Sequence, residues 1–127
     1  MKKLIVDIDL TLTEASNLEY ESKRPNLEVI SKLKEYQDLG FEITLFTSRN
    51  VRTFKGDISK INKNTLPILL DWLKKHKVPF DGIIMGKPWC GTEGFYVDDR
   101  AIRPSEFVKH SYEELKSIID EGINSFK

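Results

Sequence analysis

Two short apolar runs constrain this chain more than anything else in it. Residues 3–7 (KLIVD) and 42–47 (EITLFT) are rich in β-formers, lack the alternation of a half-exposed strand, and each stops at a residue that carries chemistry. Such runs predict strands buried on both faces, as in a parallel sheet. GIIMG at 82–86 and GFYVDD at 94–99 read as a third and a fourth strand. A helix is expected from Pro25, where Leu27, Ile30, Leu33 and Tyr36 share a face and Gly40 suits the end. Another is expected over residues 65–76 on Leu66, Leu69, Leu70 and Leu73, with Pro67 in the first turn, where its missing N–H does no harm. Ser111 and Glu114 form a capping box for a last helix, whose apolar face is Leu115, Ile118, Ile119 and Ile123. Residues 10–24 read as a loop or small hairpin, and 50–63 as a polar, basic loop.

This order of elements predicts an α/β layered fold with a mainly parallel sheet. Right-handed crossovers would place the strand C-terminal ends on one edge, where ligand sites of open α/β sheets lie. The chain has 127 residues, which fits a single domain over 1–127 that needs no disulfide or structural metal. Twenty Lys plus Arg balance twenty Asp plus Glu, which argues against nucleic acid or anionic lipid as a partner. Cys90 is the single cysteine, so no internal disulfide forms and a cytoplasmic location is expected. The N-terminal apolar run is broken by Asp7 and Asp9, too early for a signal-peptide core or a membrane span.

The chemistry-bearing residues fall at the strand ends. The first strand runs into Asp7-Ile8-Asp9, the second into Thr47-Ser48-Arg49, the third into Gly86-Lys87 and the fourth into Asp98-Asp99. This set fits phosphoryl transfer. Asp7 is placed to attack phosphorus and form a covalent intermediate, and Asp9 to serve as acid for the leaving oxygen and then as base for water. Several carboxylates together repel, and Mg²⁺ with its preference for carboxylate, carbonyl, water and phosphate oxygens resolves the conflict. Thr47 would hydrogen-bond a phosphoryl oxygen and Lys87 would neutralise phosphate and nucleophile. Ser48 and Arg49 are expected to contact substrate or phosphate. Trp89 would stack on a substrate ring or pack beneath the loop, while Cys90, His76 and His110 read as structural or inert.

At these positions the sequence resembles the haloacid dehalogenase (HAD) superfamily of phosphatases. DIDLT matches the D-x-D-x-T motif, the Thr of LFTSR the strand-end hydroxyl, the Lys of MGKP the lysine, and the DD of YVDD the closing acidic pair. The resemblance implies a three-layer, Rossmann-like fold with flanking helices. It also implies that Asp7 and Asp98 ligate the metal, Asp9 through its main-chain carbonyl and Asp99 directly or through water. The segment from Pro25 to Phe107 is similar to small capless members associated with capsular and surface polysaccharide biosynthesis. The gaps from Asp7 to Thr47 and from Thr47 to Lys87 are each 40 residues, too short for a cap domain. The expected enzyme is therefore a capless phosphomonoester hydrolase with an open site, acting on a phosphorylated sugar or small polar metabolite. A homo-oligomer would help close that site. The family commonly has Gly or another small residue where Leu10 stands, so Leu10 is a departure that bears on the motion of the flap at 10–24. Two other readings compete: a receiver-like phosphorylation switch, and an inactive binding subunit of the same fold. Against the first, receivers carry the acid pair after the first strand and the phosphorylated Asp after the third.

Overall fold

The computed structural model describes residues 1–126, and the chain divides into two compact units, Met1–Trp89 and the segment from Cys90 on. The first unit holds a parallel sheet of three strands, β1 (Lys3–Val6), β2 (Glu42–Thr47) and β3 (Gly82–Met85), with β2 in the middle. Leu4 pairs with Ile43 and Val6 with Leu45; Thr44 pairs with Gly82 and Thr47 with Met85. Because the three strands are parallel and in this register, Asp7, Ser48 and Gly86 all leave the sheet at one edge.

Burial follows from position in the sheet. Ile43 and Leu45 on central β2 are both 0% exposed, as a strand flanked on two sides should be. β1 departs from the expectation of a strand buried on both faces: Lys3 and Ile5 are exposed while Leu4 and Val6 are half-buried. An apolar run without alternation looks the same whether one face or both are covered, so the pattern overstated the burial of β1. α1 (Leu27–Asp38) runs between the expected Pro25 and Gly40, capped by Asn26 accepting from the Val29 N–H at 3.3 Å. It packs Val29, Ile30, Leu33 and Tyr36 inward.

Residues 50–63 are not loop throughout. α2 (Ile58–Asn64) starts at Asp57, whose side chain accepts from the Lys60 N–H at 3.2 Å. Its only apolar residues are Ile58 and Ile61, too few to show a helical period among the lysines. α3 (Leu66–Lys75) buries Leu69, Trp72 and Leu73 and leaves Leu70 exposed. The stripe is thus centred on Trp72 rather than on the all-leucine set. Trp72 also donates from Nε1 to the Lys23 carbonyl at 2.8 Å, which ties the 10–24 segment to the helix. That segment closes on itself through a Thr13–Pro25 antiparallel bridge, the Glu14 N–H donating to the Arg24 carbonyl at 2.9 Å, and a 3₁₀ turn at Tyr20–Ser22.

In the second unit the strand expected at 94–99 is not formed. Phe95 and Val97 are exposed, and Gly94 sits so close to the Cys90 carbonyl that a Cβ there would collide with it. The segment therefore begins in a tight turn, and β-propensity without a ladder partner does not make a strand. α4 (Pro104–Lys109), which the sequence pattern did not show, begins where the Arg103 N–H donates to Glu106 Oε1 at 2.9 Å. α5 (Tyr112–Asn124) has the expected capping box: the Glu114 N–H donates to Ser111 Oγ at 3.2 Å and the Ser111 N–H to Glu114 Oε1 at 3.0 Å. Leu115 is its buried residue. Among the described residues no helix is long and apolar enough to cross a membrane.

Candidate functional site

The site is built from the three strand ends of the first unit. After β1 the chain folds into a tight turn in which the N–H groups of Thr11 and Leu12 donate to the Ile8 carbonyl at 3.2 and 2.8 Å. Ile8 is 0% exposed and pins the turn to the core, while Asp7 and Asp9 on either side of it stay half-buried. Leu10 adopts φ 62°, the left-handed conformation that favours glycine, and its N–H donates to Thr13 Oγ1 at 3.1 Å. The backbone of this turn thus explains why a small residue suits the position and shows that leucine occupies it at a cost.

Thr47 ends β2 and is 1% exposed. Its Oγ1 accepts from the Arg49 N–H at 3.1 Å and its carbonyl accepts from the Lys87 N–H at 3.0 Å. The second bond extends the β2–β3 pairing one step beyond the sheet. Gly86, at φ 89° and packed so that a Cβ would strike Ile58, makes the turn that follows β3. Lys87 then returns over the sheet edge, with Nζ 3.7 Å from Asp7 Oδ1. Thr11 Oγ1 donates to the other oxygen, Asp7 Oδ2, at 3.3 Å. Burial pushes the Asp7 carboxyl above its ordinary value, against the opposing pull of the Lys87 ammonium.

Asp9 is held differently. Arg49 grips it with Nε 2.9 Å from Oδ2 and Nη2 3.0 Å from Oδ1, a two-pronged contact. Arg49 is 2% exposed, and its guanidinium lies 4.2 Å from the centre of the Tyr20 ring. The sequence reading placed Arg49 on substrate or phosphate; the structure places its guanidinium on Asp9. Tyr20 was not foreseen, since nothing local marks a lone tyrosine in a polar segment as the lid on an arginine 29 positions away.

Beside Asp9 opens a cleft of about 380 Å³, walled by the 10–24 segment, by residues 48–53 and by Trp89. Its cationic groups besides Arg49 are Lys23 and Arg52, and its apolar surfaces are Leu10 and Trp89. Ser16, Ser48, Asn50 and Thr53 give it a hydrogen-bonding rim.

Asp7, Asp9, Thr47, Ser48, Arg49 and Lys87 are therefore assembled at one sheet edge within the first unit. Asp98 and Asp99 belong to the second unit, where both are exposed and Asp98 Oδ1 accepts from the Arg100 N–H at 2.9 Å. Among the described residues no three His, Cys, Asp or Glu side chains form a ready metal cluster. The donor chemistry around Asp7 nevertheless fits a hard divalent cation. Its carboxylate and the Asp9 main-chain carbonyl are hard oxygens, and burial disfavours the Asp7 charge even with a lysine beside it.

Fold and site together define a small α/β protein whose parallel sheet presents an acid–lysine pair and an acid–arginine pair at its C-terminal edge. A crystal structure of an MCSG target from Vibrio cholerae is 55% identical, covering 95% of this chain and 98% of that one with a TM-score of 0.93. The chain belongs to the same family as that Vibrio cholerae protein. No family model matches the chain, and no curated protein matches it.

Proposed function

We propose that the protein is a Mg²⁺-dependent phosphomonoester hydrolase of the HAD type that works through an aspartyl-phosphate on Asp7. The observation that carries this reading is the Asp7–Lys87 pair, 3.7 Å apart, beside buried Thr47 and an Asp9 fixed by Arg49. An Asp7 oxygen attacks phosphorus in line as the bond to the leaving oxygen breaks, and that oxygen takes a proton from Asp9, whose carboxyl must first take up a proton and loosen the Arg49 contact. Water then gives a proton to Asp9 as it attacks phosphorus, which breaks the bond to Asp7 and releases orthophosphate. Thr47 Oγ1 accepts from the Arg49 N–H, which leaves its hydroxyl proton to donate to a phosphoryl oxygen. Lys87 balances charge on both nucleophile and phosphate.

Asp7 and the Asp9 carbonyl would hold the metal. When bound, it screens the anionic phosphate from the anionic nucleophile. The substrate in this reading is a phosphorylated sugar or small polar metabolite, supported by the polar, hydroxyl-rich rim of the cleft.

A phosphate-release assay with and without Mg²⁺ tests the proposal. The wild-type chain should turn over many times with the metal, and Asp7→Asn should release nothing while keeping its circular-dichroism spectrum. A single phosphorylation without turnover would favour a receiver-like switch, and full activity in Asp7→Asn would refute the mechanism.

A further inference from the structure

Leu10, Lys23, Arg52 and Trp89 line the cleft and have no part in the chemistry proposed above. Arg49 and Asp9 neutralise each other, whereas neither Lys23 nor Arg52 makes an ion pair among the described residues. The cleft therefore carries two positive charges, Lys23 and Arg52, that no carboxylate pairs with among the described residues. Its volume of about 380 Å³ lies near the small end of the roughly 300–1,000 Å³ typical of ligand pockets, which suits a monosaccharide-sized leaving group. Leu10 keeps a strained backbone, is 67% exposed, and adds nothing to the core. Trp89 is 47% exposed in the same cleft. A strained, exposed residue that lines a cleft is a candidate for contact with a ligand, and with Trp89 it offers two apolar surfaces to the C–H face of a sugar ring.

We infer that the substrate is a monosaccharide-sized phosphate ester bearing a second anionic group, a carboxylate or a further phosphate, which Lys23 and Arg52 bind while Leu10 and Trp89 hold the ring. This rests on the phosphatase reading above and adds the substrate class. The second anion makes the leaving group complementary to the cleft, and a neutral sugar leaves both cations without an anionic partner.

Matched esters that share one scissile phosphate test the inference: glucose 1-phosphate, glucuronic acid 1-phosphate and glucose 1,6-bisphosphate, with p-nitrophenyl phosphate as a small reference. With the wild-type chain and Mg²⁺, kcat/KM for the carboxylate or the bisphosphate ester should exceed that for glucose 1-phosphate about tenfold or more, mostly through KM. Which of the two leads identifies the second anion. Lys23→Gln and Arg52→Gln should each cut that advantage several-fold, and Leu10→Gly should raise KM for all three sugar esters. Turnover of p-nitrophenyl phosphate with equal or no activity on the three sugar esters would overturn the inference alone. So would Gln variants that keep the full preference. No turnover of any ester would instead overturn the phosphatase reading beneath it.

Discussion

Arg49 is the residue whose replacement should be most informative, because it joins stability to catalysis at one point. It is 2% exposed, while the Asp9 side chain it holds is 35% exposed. Breaking a fully buried ion pair costs about 3–5 kcal/mol, and an exposed pair is worth under about 1 kcal/mol. With one end open to solvent, this pair belongs between those limits, at about 2 kcal/mol. The stack on Tyr20, 4.2 Å from the ring centre, adds about 1 kcal/mol. Against both stands Nη1, buried without a hydrogen-bond partner among the described residues, whose removal returns about 1 kcal/mol.

Arg49→Met, which keeps much of the packing volume, should therefore lose about 2 kcal/mol, and the coupling to Asp9→Asn in a double-mutant cycle should be about 1–2 kcal/mol. Both tryptophans, Trp72 and Trp89, lie in the first unit, so their fluorescence in urea follows the unit that contains the pair. At an m-value of about 1–3 kcal/mol/M, the midpoint should fall by about 1 M. Arg49→Lys keeps the charge but loses the two-pronged grip, so kcat should drop at least about tenfold with KM little changed. A loss below about 0.5 kcal/mol in Arg49→Met, or zero coupling to Asp9, would refute the reasoning.

Leu10→Gly should stabilise the chain by about 0.5 kcal/mol in urea denaturation, because relief of the left-handed backbone at φ 62° outweighs the extra freedom of glycine in the unfolded chain; a less stable variant would contradict the strain argument. For Glu114, the Ser111 N–H, helped by His110, holds the carboxyl below its ordinary value in the folded chain. A lowered carboxylate contributes stability above its unfolded pKa and loses it as pH falls through the folded one. Glu114→Gln should accordingly be less stable than wild type at neutral pH, with the gap closing on acidification; hydrogen exchange along α5 would show it, and a gap that widens in acid would reverse the sign of the argument.

How legible all this was depends on how local each interaction is. The three strands of the first unit, the Asn26–Asp38 stretch of α1, the helix after Thr65 and the Ser111–Glu114 box were readable because propensity, apolar period and capping act within a few residues. So were Asp7, Asp9, Thr47 and Lys87 as residues at strand ends. Once β1, β2 and β3 are parallel, their C-terminal ends share an edge whatever else the chain does. The segment at 94–99 failed for the complementary reason, since a strand needs a partner and three β-formers in a row do not supply one. α2 escaped notice because its two isoleucines are buried or half-lost among lysines and its stability comes from the Asp57 cap and from packing.

The Asp7–Ile8–Asp9 turn shows both sides of the division at once. The sequence by itself determined that two carboxylates follow a short apolar strand, separated by an isoleucine that the core would claim. Only the tertiary structure decided that one of them faces Lys87 and the other is gripped by Arg49 under Tyr20. Those partners lie tens of residues away along the chain. No period or propensity reaches that far, and the contacts exist because the parallel register carries Thr47 and Gly86 to the same edge as Asp7.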